Sequence, residues 1–426
     1  MRIFITGAGG FIGGYLVSGL LREGHQVIAG LRAPEKFLRR FPSTEAVMVD
    51  FLTDHDPAVW KARLAGCDAL INAAGILHGS QLQAVHVTGP KAMFEGAVQA
   101  GVAKIVHISA VSADRDAGTA YALSKLEADD YLKTCNLDWT ILRPSLVYAA
   151  GAYGGTALMR GLAALPLVIP LVGKGDQPFQ PIHAGDVTRT VLQALSDPGL
   201  SRKVIEPVGP ETLTLRDILF GLRAWLGLPP ARELRVPLGL INLAAMLGPI
   251  FGSGPVNPTS VRQLTYGNVS DSKAFEAAVG WRPRSFSEAL EGDPAQTQDI
   301  WHARAYFLAP LSKWVLAFLW LASGLIGLIA GAGTTAGLLQ GMDLPAAWAA
   351  PLAVATSLLD LGLGVWLISG RWIGAVTLTQ LLAVLAYTTI LTLAGPELWL
   401  DPFGPLLKNI PILALILVYG AIGRAR

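Results

Sequence analysis

The chain has 426 residues, long enough for two or three domains, and its 52% of hydrophobic against 15% of charged residues is unlike an average soluble enzyme. A formal net charge of +2, with no basic stripe carrying interleaved aromatics, argues against nucleic-acid binding. Cys67 and Cys135, the two cysteines, have no partner at metal-ligand spacing, so neither a metal site nor a disulfide framework is expected.

In chain order, an apolar strand is expected over 2–6. Because it starts at Arg2 with no apolar leader before it, no signal peptide is expected and the N-terminal part is placed in the cytosol. The strand runs into Thr6-Gly7-Ala8-Gly9-Gly10-Phe11-Ile12-Gly13. Glycines at such a turn let backbone N–H groups approach a pyrophosphate at a helix N-terminus, where the helix dipole favours negative charge, so the turn points to a dinucleotide. A helix is expected over 10–23, with Ile12, Leu16, Val17 and Leu20 on one side and Gly24 as its C-cap. Further strands are expected over 26–31, 46–49, 69–72, 104–109 and 139–142. Continuous apolar strands separated by helices imply an α/β fold: a Rossmann-type, doubly wound parallel sheet covered on both faces. At the end of the second strand, where an acid would accept the adenosine ribose hydroxyls and select NAD, the chain has Gly30-Leu31-Arg32. Arg32, with Lys36 nearby, suits a ribose 2′-phosphate, so NADP(H) is favoured over NAD(H).

Tyr121-Ala122-Leu123-Ser124-Lys125 puts a phenol and an ammonium on one helix face at i and i+4. A neighbouring cation is expected to lower the phenol's pKa from about 10, making it a proton donor or acceptor near neutral pH. After Pro144 the pattern loosens into Gly/Pro-rich text, read as a small substrate-side subdomain over 145–295. The segment 148–155 is expected either to border the pocket or to be a bare loop. His183 and Asp186 resemble an acid/base pair, but Asp186 is expected to cap the helix that begins there. The apolar run 238–251 is shorter than the roughly 20 residues of a membrane span and is expected to be a buried or interfacial helix.

Residues 291–298 read as a linker, dividing the chain into domains 1–300 and 301–426. From Trp314 onward charge almost vanishes. Four transmembrane helices are expected over 314–332, 346–368, 372–394 and 406–422, although Lys408 and Pro411 fall in the first turns of the last. Arg304, Lys313, Arg371, Arg424 and Arg426 fall on one side of that bundle, while Asp343, Glu397, Asp401 and Lys408 fall on the other. The positive-inside bias then places both termini in the cytoplasm and the bundle in the cytoplasmic (inner) membrane. Ser369-Gly370-Arg371 forms a tight hairpin in this scheme. Asp360, mid-span, is costly unless paired or protonated. With Thr356, Ser357, Thr377, Gln380, Tyr387 and Thr388 it either lines a quinone, lipid or proton site or satisfies helix packing.

Taken together, the glycine turn and the Tyr121/Lys125 pair resemble the short-chain dehydrogenase/reductase superfamily in its extended or atypical branch, over about residues 1 to 300. The stretches 68–77, His107-Ile108-Ser109-Ala110 and Ile141-Leu142-Arg143-Pro144-Ser145 are similar in particular to the nucleotide-binding accessory subunit of respiratory complex I. The last quarter resembles the DoxX-like family through 403–411. The resemblance implies NAD(P) across the carboxyl edge of the sheet, held by Gly7, Gly9, Gly10, Phe11, Ile12, Gly13, Arg32, Asn72, Ala73, Ala74 and Gly75. It implies Tyr121 as general acid/base and Lys125 on the nicotinamide ribose. Asp50 resembles an adenine-contacting aspartate, with a simple cap as the alternative. Two departures stand out: the family's hydroxyl that binds the reacting oxygen falls at Ala110, leaving Ser109 and Ser112 as candidates, and the family's asparagine falls at His86. The expected function is a membrane-anchored oxidoreductase or epimerase/dehydratase-like enzyme acting on a hydrophobic molecule, lipid or quinone. The alternative is a non-catalytic nucleotide-binding accessory subunit of a membrane complex, and a homo-oligomer fits either.

Overall fold

The computed structural model describes residues 1–251, 257–341 and 345–423, which form two compact units, Met1–Ala303 and Arg304–Arg426. The first unit opens with β1 (Arg2–Thr6), α1 (Phe11–Arg22), β2 (Gln26–Leu31), α2 (Pro34–Leu38), β3 (Glu45–Met48), α3 (Pro57–Leu64) and β4 (Ala69–Asn72). A π-helical turn, Ala84–Thr88, leads into α4 (Gly89–Ala100), followed by β5 (Lys104–Ile108), α5 (Ala120–Thr134) and β6 (Asp138–Leu142). Strands and helices thus alternate as expected, to within a residue at most ends.

Beyond β6 come β7 (Val147–Tyr148), α6 (Gly154–Ala163), β8 (Val168–Val172), β9 (Pro178–Phe179), β10 (Ile182–His183), α7 (Ala184–Ser196), β11 (Lys203–Ile205), β12 (Leu213–Thr214), α8 (Leu215–Trp225) and β13 (Arg232–Val236). Four helices close the unit: α9 (Leu238–Phe251), α10 (Pro258–Tyr266), α11 (Ser272–Val279) and α12 (Phe286–Gly292). Among the described residues seven strands form one sheet in the order β11-β6-β5-β4-β1-β2-β3, parallel at every pairing. The chain reverses its direction of travel across the sheet between β1 and β4, the switch point where open α/β sheets take their ligands.

β1 shows why its apolar run is unbroken. Ile3 and Ile5 pack on one face with Leu16 and Leu20 of α1 and Val187 and Val191 of α7, while Phe4 packs on the other with Trp60, Met93 and Phe94 from α3 and α4. A separate core, with Met159, Ile169, Leu171, Leu219 and Phe286, holds the small elements after β6 together. The apolar run near residue 240 is helical as expected, but its described side chains from Leu238 to Met246 are mostly exposed, with Ala245 buried, so it is no core helix.

The division between the units falls inside α13 (Thr297–Gly341), which α14 (Ala349–Ser369), α15 (Ile373–Ala394) and α16 (Asn409–Ile422) follow. Among the described residues, α13, α14 and α15 are long and apolar enough to cross a membrane. The expected fourth helix is α16, shorter than the others: its 14 residues are about 21 Å long at 1.5 Å per residue, against the roughly 30 Å of a hydrocarbon core. Residues 406–408, expected to be helical, lie instead in the turn before it. Gly370, in the left-handed region, makes the sharp turn between α14 and α15. Asp343, Arg424 and Arg426, used in the charge argument for topology, lie outside the described residues.

Polar groups inside this unit are spent on hydrogen bonds within and between helices. Ser323 (2.6 Å) and Tyr387 (2.9 Å) donate to the two oxygens of Asp360, Trp320 donates to Gln380 (2.9 Å), and Asn409 donates to Thr388 (2.8 Å). Thr356, Ser357 and Thr377 donate to carbonyls of their own helices.

Candidate cofactor and active site

The turn after β1 is built on close approaches that only bare backbone permits. Gly7 has φ +70°, and a Cβ there would stand 2.5 Å from the carbonyl of Ala73. A Cβ on Gly13 would stand 2.1 Å from the Gly7 carbonyl oxygen, so α1 presses directly on the end of β1. The Gly10 N–H donates to that same oxygen (2.9 Å) and closes the turn.

Beside it lies a cavity of about 550 Å³, lined by Gly7, Gly9 and Gly10, by Arg32, Lys36 and Arg40, by Asp50, and by Ala73, Ala74 and Gly75. Phe11, Ile12, Gly13 and Asn72 are not among its lining residues. Gly13 and Asn72 shape it from behind: Asn72 accepts from Thr6 Oγ1 (2.7 Å) and from the Ala74 N–H (3.3 Å), fixing the loop that follows β4. Phe11 meets the ring of Tyr153, which itself lines the cavity. The 148–155 segment therefore borders the pocket. It is anchored by Arg160, which donates to the carbonyls of Ala149 and Ala150, and by the Gly151 N–H on Tyr15 (3.2 Å).

The cavity's cationic end combines Arg32, Lys36 and Arg40, all exposed, and among the described residues no acid pairs with any of them. Arg40 was missed from sequence, although it follows Lys36 at a spacing of four. Asp50 lines the cavity, and its carboxylate accepts from the Leu52 N–H (3.0 Å) as a turn cap.

At the other end, Gly75 joins the cavity to α5. A Cβ on Gly75 would stand 3.3 Å from Lys125 Nζ and 3.5 Å from His86 Nε2. Thr119 caps α5 by accepting from Ala122 N, which sets Tyr121 and Lys125 in its first two turns. Lys125 is buried and donates to the carbonyls of Ile108 (2.9 Å) and Ala74 (3.5 Å), and burial lowers its pKa to about 8 although Asp129 opposes the shift. Tyr121 moves the opposite way from the sequence expectation. Burial, with the Asp129 carboxylate adding to it, raises the phenol to about 12.

His86 sits in the π-helical turn with its ring edge-on to Tyr121. Its Nε2 accepts from the Ile76 N–H (3.0 Å), which leaves the proton on Nδ1 to donate to Ser124 Oγ (2.8 Å). Burial and Lys125 lower its pKa to about 3, so it stays a neutral clamp between the 73–76 loop and α5. Ser109 donates to Asp129 (3.0 Å), which also accepts from Arg143 Nε (2.8 Å), while Ser112 is buried in the turn after β5. Ser109 is thereby tied to a buried ion pair, and its hydroxyl is turned to that task.

Asp186 is corrected from cap to clamp. His183 caps α7 by accepting from Gly185 N (3.1 Å), and Asp186 accepts from the backbone N–H and guanidinium of Arg284 (3.1 and 3.0 Å). Among the described residues no group of His, Cys, Asp or Glu is arranged to hold a metal ion.

The cavity fits a dinucleotide on structural grounds: an unobstructed glycine turn at the switch point, an anion-attracting end, and a lysine against the far wall. Comparison with known proteins agrees. Residues 7–198 match a family model described as NAD(P)H-binding. Residues 317–417 match that of the DoxX-like family, so the chain carries an NAD(P)H-binding domain and a DoxX-like domain. The fold of the first unit is that of the UDP-glucuronic acid 4-epimerase from Bacillus cereus in complex with UDP-glucuronic acid and NAD. The TM-score is 0.54 and the identity 19%, covering 72% of this chain and all of that one.

Among sequence relatives, a ceramide reductase of Caulobacter vibrioides is 26% identical over 257 residues, 58% of this chain and 77% of that protein. The mitochondrial NADH-ubiquinone oxidoreductase 40 kDa subunit of Neurospora crassa is 23% identical over 221 residues, 50% of this chain and 57% of that protein. The match to an uncharacterised Mycobacterium tuberculosis protein, 24% identical, covers 52% of this chain but only 23% of that protein's length.

Proposed function

We propose that the chain is a membrane-anchored NAD(P)H-dependent oxidoreductase or epimerase of the short-chain type, with residues 1–300 as its catalytic part and 301–426 as its anchor. It works at the inner face of the cytoplasmic membrane on a hydrophobic or membrane-associated substrate such as a lipid or quinone. The observation that carries this reading is the junction at Gly75, where a glycine-walled cavity meets the buried Lys125 of α5. A bound dinucleotide supplies hydride transfer. Lys125, charged below about pH 8, is the group to hold the nicotinamide ribose, and Arg32, Lys36 and Arg40 are the groups to hold a 2′-phosphate, favouring NADP(H). With its pKa at about 12, Tyr121 is a protonated phenol at neutral pH and is set to give its proton to a reacting oxygen. Ser112 is the remaining hydroxyl to steady that oxygen, since Ser109 is held by Asp129.

Tyr121→Phe tests the assignment. Turnover, followed as NADPH oxidation on adding a lipid extract or quinone, should fall by about 10²–10⁴-fold while dinucleotide affinity is kept. Full turnover by the variant removes Tyr121 from the chemistry. A second reading, a nucleotide-filled accessory subunit of a membrane complex, is favoured by Ala110 at the family's hydroxyl position. It predicts binding of NADPH with no oxidation by any added lipid or quinone.

A further inference from the structure

The helix α9 is the least easily explained part of the first unit. Its sequence, LGLINLAAMLGPIF, contains no charged residue. A helix apolar on all sides belongs in a core or in lipid, and at 14 residues it is too short to cross a bilayer. It is not in a core: Leu240 is 58% exposed, Leu243 54% and Met246 69%, with Leu234 of β13 and Leu238 also exposed. Large apolar side chains crowded on one short element mark an interaction surface.

Two observations select the occupant. Cations lead into the helix: Arg232 and Arg235 on β13 are exposed, and among the described residues no acid pairs with either, whereas Glu233 between them is taken by Arg216 (2.6 Å). Lys174 is exposed in a turn tied to the end of β13 by the Gly173 N–H on the Val236 carbonyl (2.9 Å), with Asp176 as the acid of that turn. Basic residues flanking an uncharged apolar helix match a layer of anionic headgroups over hydrocarbon. The same chain also carries three helices able to cross a membrane, so a bilayer is always at hand.

We propose that α9 lies in the headgroup–acyl boundary of the membrane and is the element through which the NAD(P)H-binding domain receives a lipid substrate. α10 packs against α9 and reaches the active site directly. Its Gln263 donates to Thr119 Oγ1 (2.7 Å), the cap of α5, and its Arg262 donates to the Gly118 carbonyl (3.2 Å), two and three residues from Tyr121. The lipid-seated helix is thus one packing step from the cap of the helix that carries the proton donor. The seating stands on the exposed helix itself, and the lipid as substrate rests on the function proposed above.

The test uses the full chain with Cys135→Ser, reconstituted into phosphatidylcholine/phosphatidylglycerol vesicles. A bimane label is placed in turn at Leu240→Cys, Leu243→Cys, Met246→Cys and, as a control at an exposed position on α3, Lys61→Cys. The three α9 labels should be quenched several-fold more by lipids bearing a shallow acyl-chain nitroxide than the control, and less by aqueous iodide. Labels at α9 that iodide reaches as freely as the control overturn the seating. So do α9 labels shielded from iodide without lipid quenching, with Met246→Cys pairs cross-linking between copies, which assign the surface to a second copy of the chain. Neither measurement needs cofactor or turnover, so α9 fails or stands independently of the chemistry at Tyr121.

Discussion

Each unit buries a carboxylate, and the two treat it differently. Asp129 in the NAD(P)H-binding domain has no solvent exposure and meets a cation, Arg143, at 2.8 Å, with His107 Nε2 at 3.5 Å from its other oxygen. Asp360, 5% exposed between the apolar helices, meets only hydroxyls, those of Ser323 and Tyr387. In the first unit charge is balanced by charge beneath the candidate active site, where Asp129 also acts on Tyr121 and Lys125. In the second, neutral donors join α13, α14 and α15, and among the described residues no buried cation stands opposite.

The contrast predicts a graded set of outcomes. Asp129→Asn removes the fully buried countercharge of Arg143 and leaves it only the more distant, part-exposed Glu206 (3.9 Å), so the largest effect is expected there: a loss of about 3–5 kcal/mol in the unfolding free energy of the full chain in detergent, read by denaturant titration. Loss of less than about 1 kcal/mol would mean that Glu206 and solvent, not Asp129, balance Arg143. Asp360→Ala strands two hydroxyls in an apolar bundle and should cost about 1–3 kcal/mol, whereas Asp360→Asn keeps an acceptor and should cost under about 1 kcal/mol. Equal losses for the two Asp360 variants would show that its charge, rather than its hydrogen bonds, is what the bundle uses.

A smaller effect is expected on cofactor binding with pH. Lys125 loses its proton as pH rises through about 8, so dinucleotide affinity should be full at pH 7 and weaken on going to pH 9. Because Asp129 raises the Lys125 pKa against the effect of burial, the midpoint should move to lower pH in Asp129→Asn and stay in place in Asp360→Asn. Smallest is the cofactor preference. Arg32→Ala or Arg40→Ala should each reduce NADPH affinity about tenfold with little change for NADH, corresponding to roughly 1.4 kcal/mol for one exposed charge-assisted contact. Equal losses for both nucleotides would move these arginines off the 2′-phosphate.

Much of the fold was legible from sequence because its signals are local. Apolar runs separated by amphipathic helices announce a parallel sheet wherever they occur, and the three long helices follow from apolar stretches nearly free of charge. The glycine turn is likewise a local pattern. The site was legible only in part. The clamp role of Asp186 depends on Arg284, 98 residues away, and Arg160 also reaches Asp299, 139 residues away, while Arg40 matters only because the fold sets it on the cavity wall beside Arg32 and Lys36.

The sequence by itself determined the order of elements, the position of the phosphate-approaching turn and the division between an ordinary globular part and a greasy one. Spacing and hydropathy act over a few residues and need no partner. The tertiary structure decided the state of the chemistry. Tyr121 rises to about 12 because burial disfavours the phenolate, Ser109 is captured by Asp129, and α9 keeps Leu240, Leu243 and Met246 exposed although α10 packs against it. Desolvation and long-range pairing are properties of the packed molecule, and no spacing along the chain encodes them.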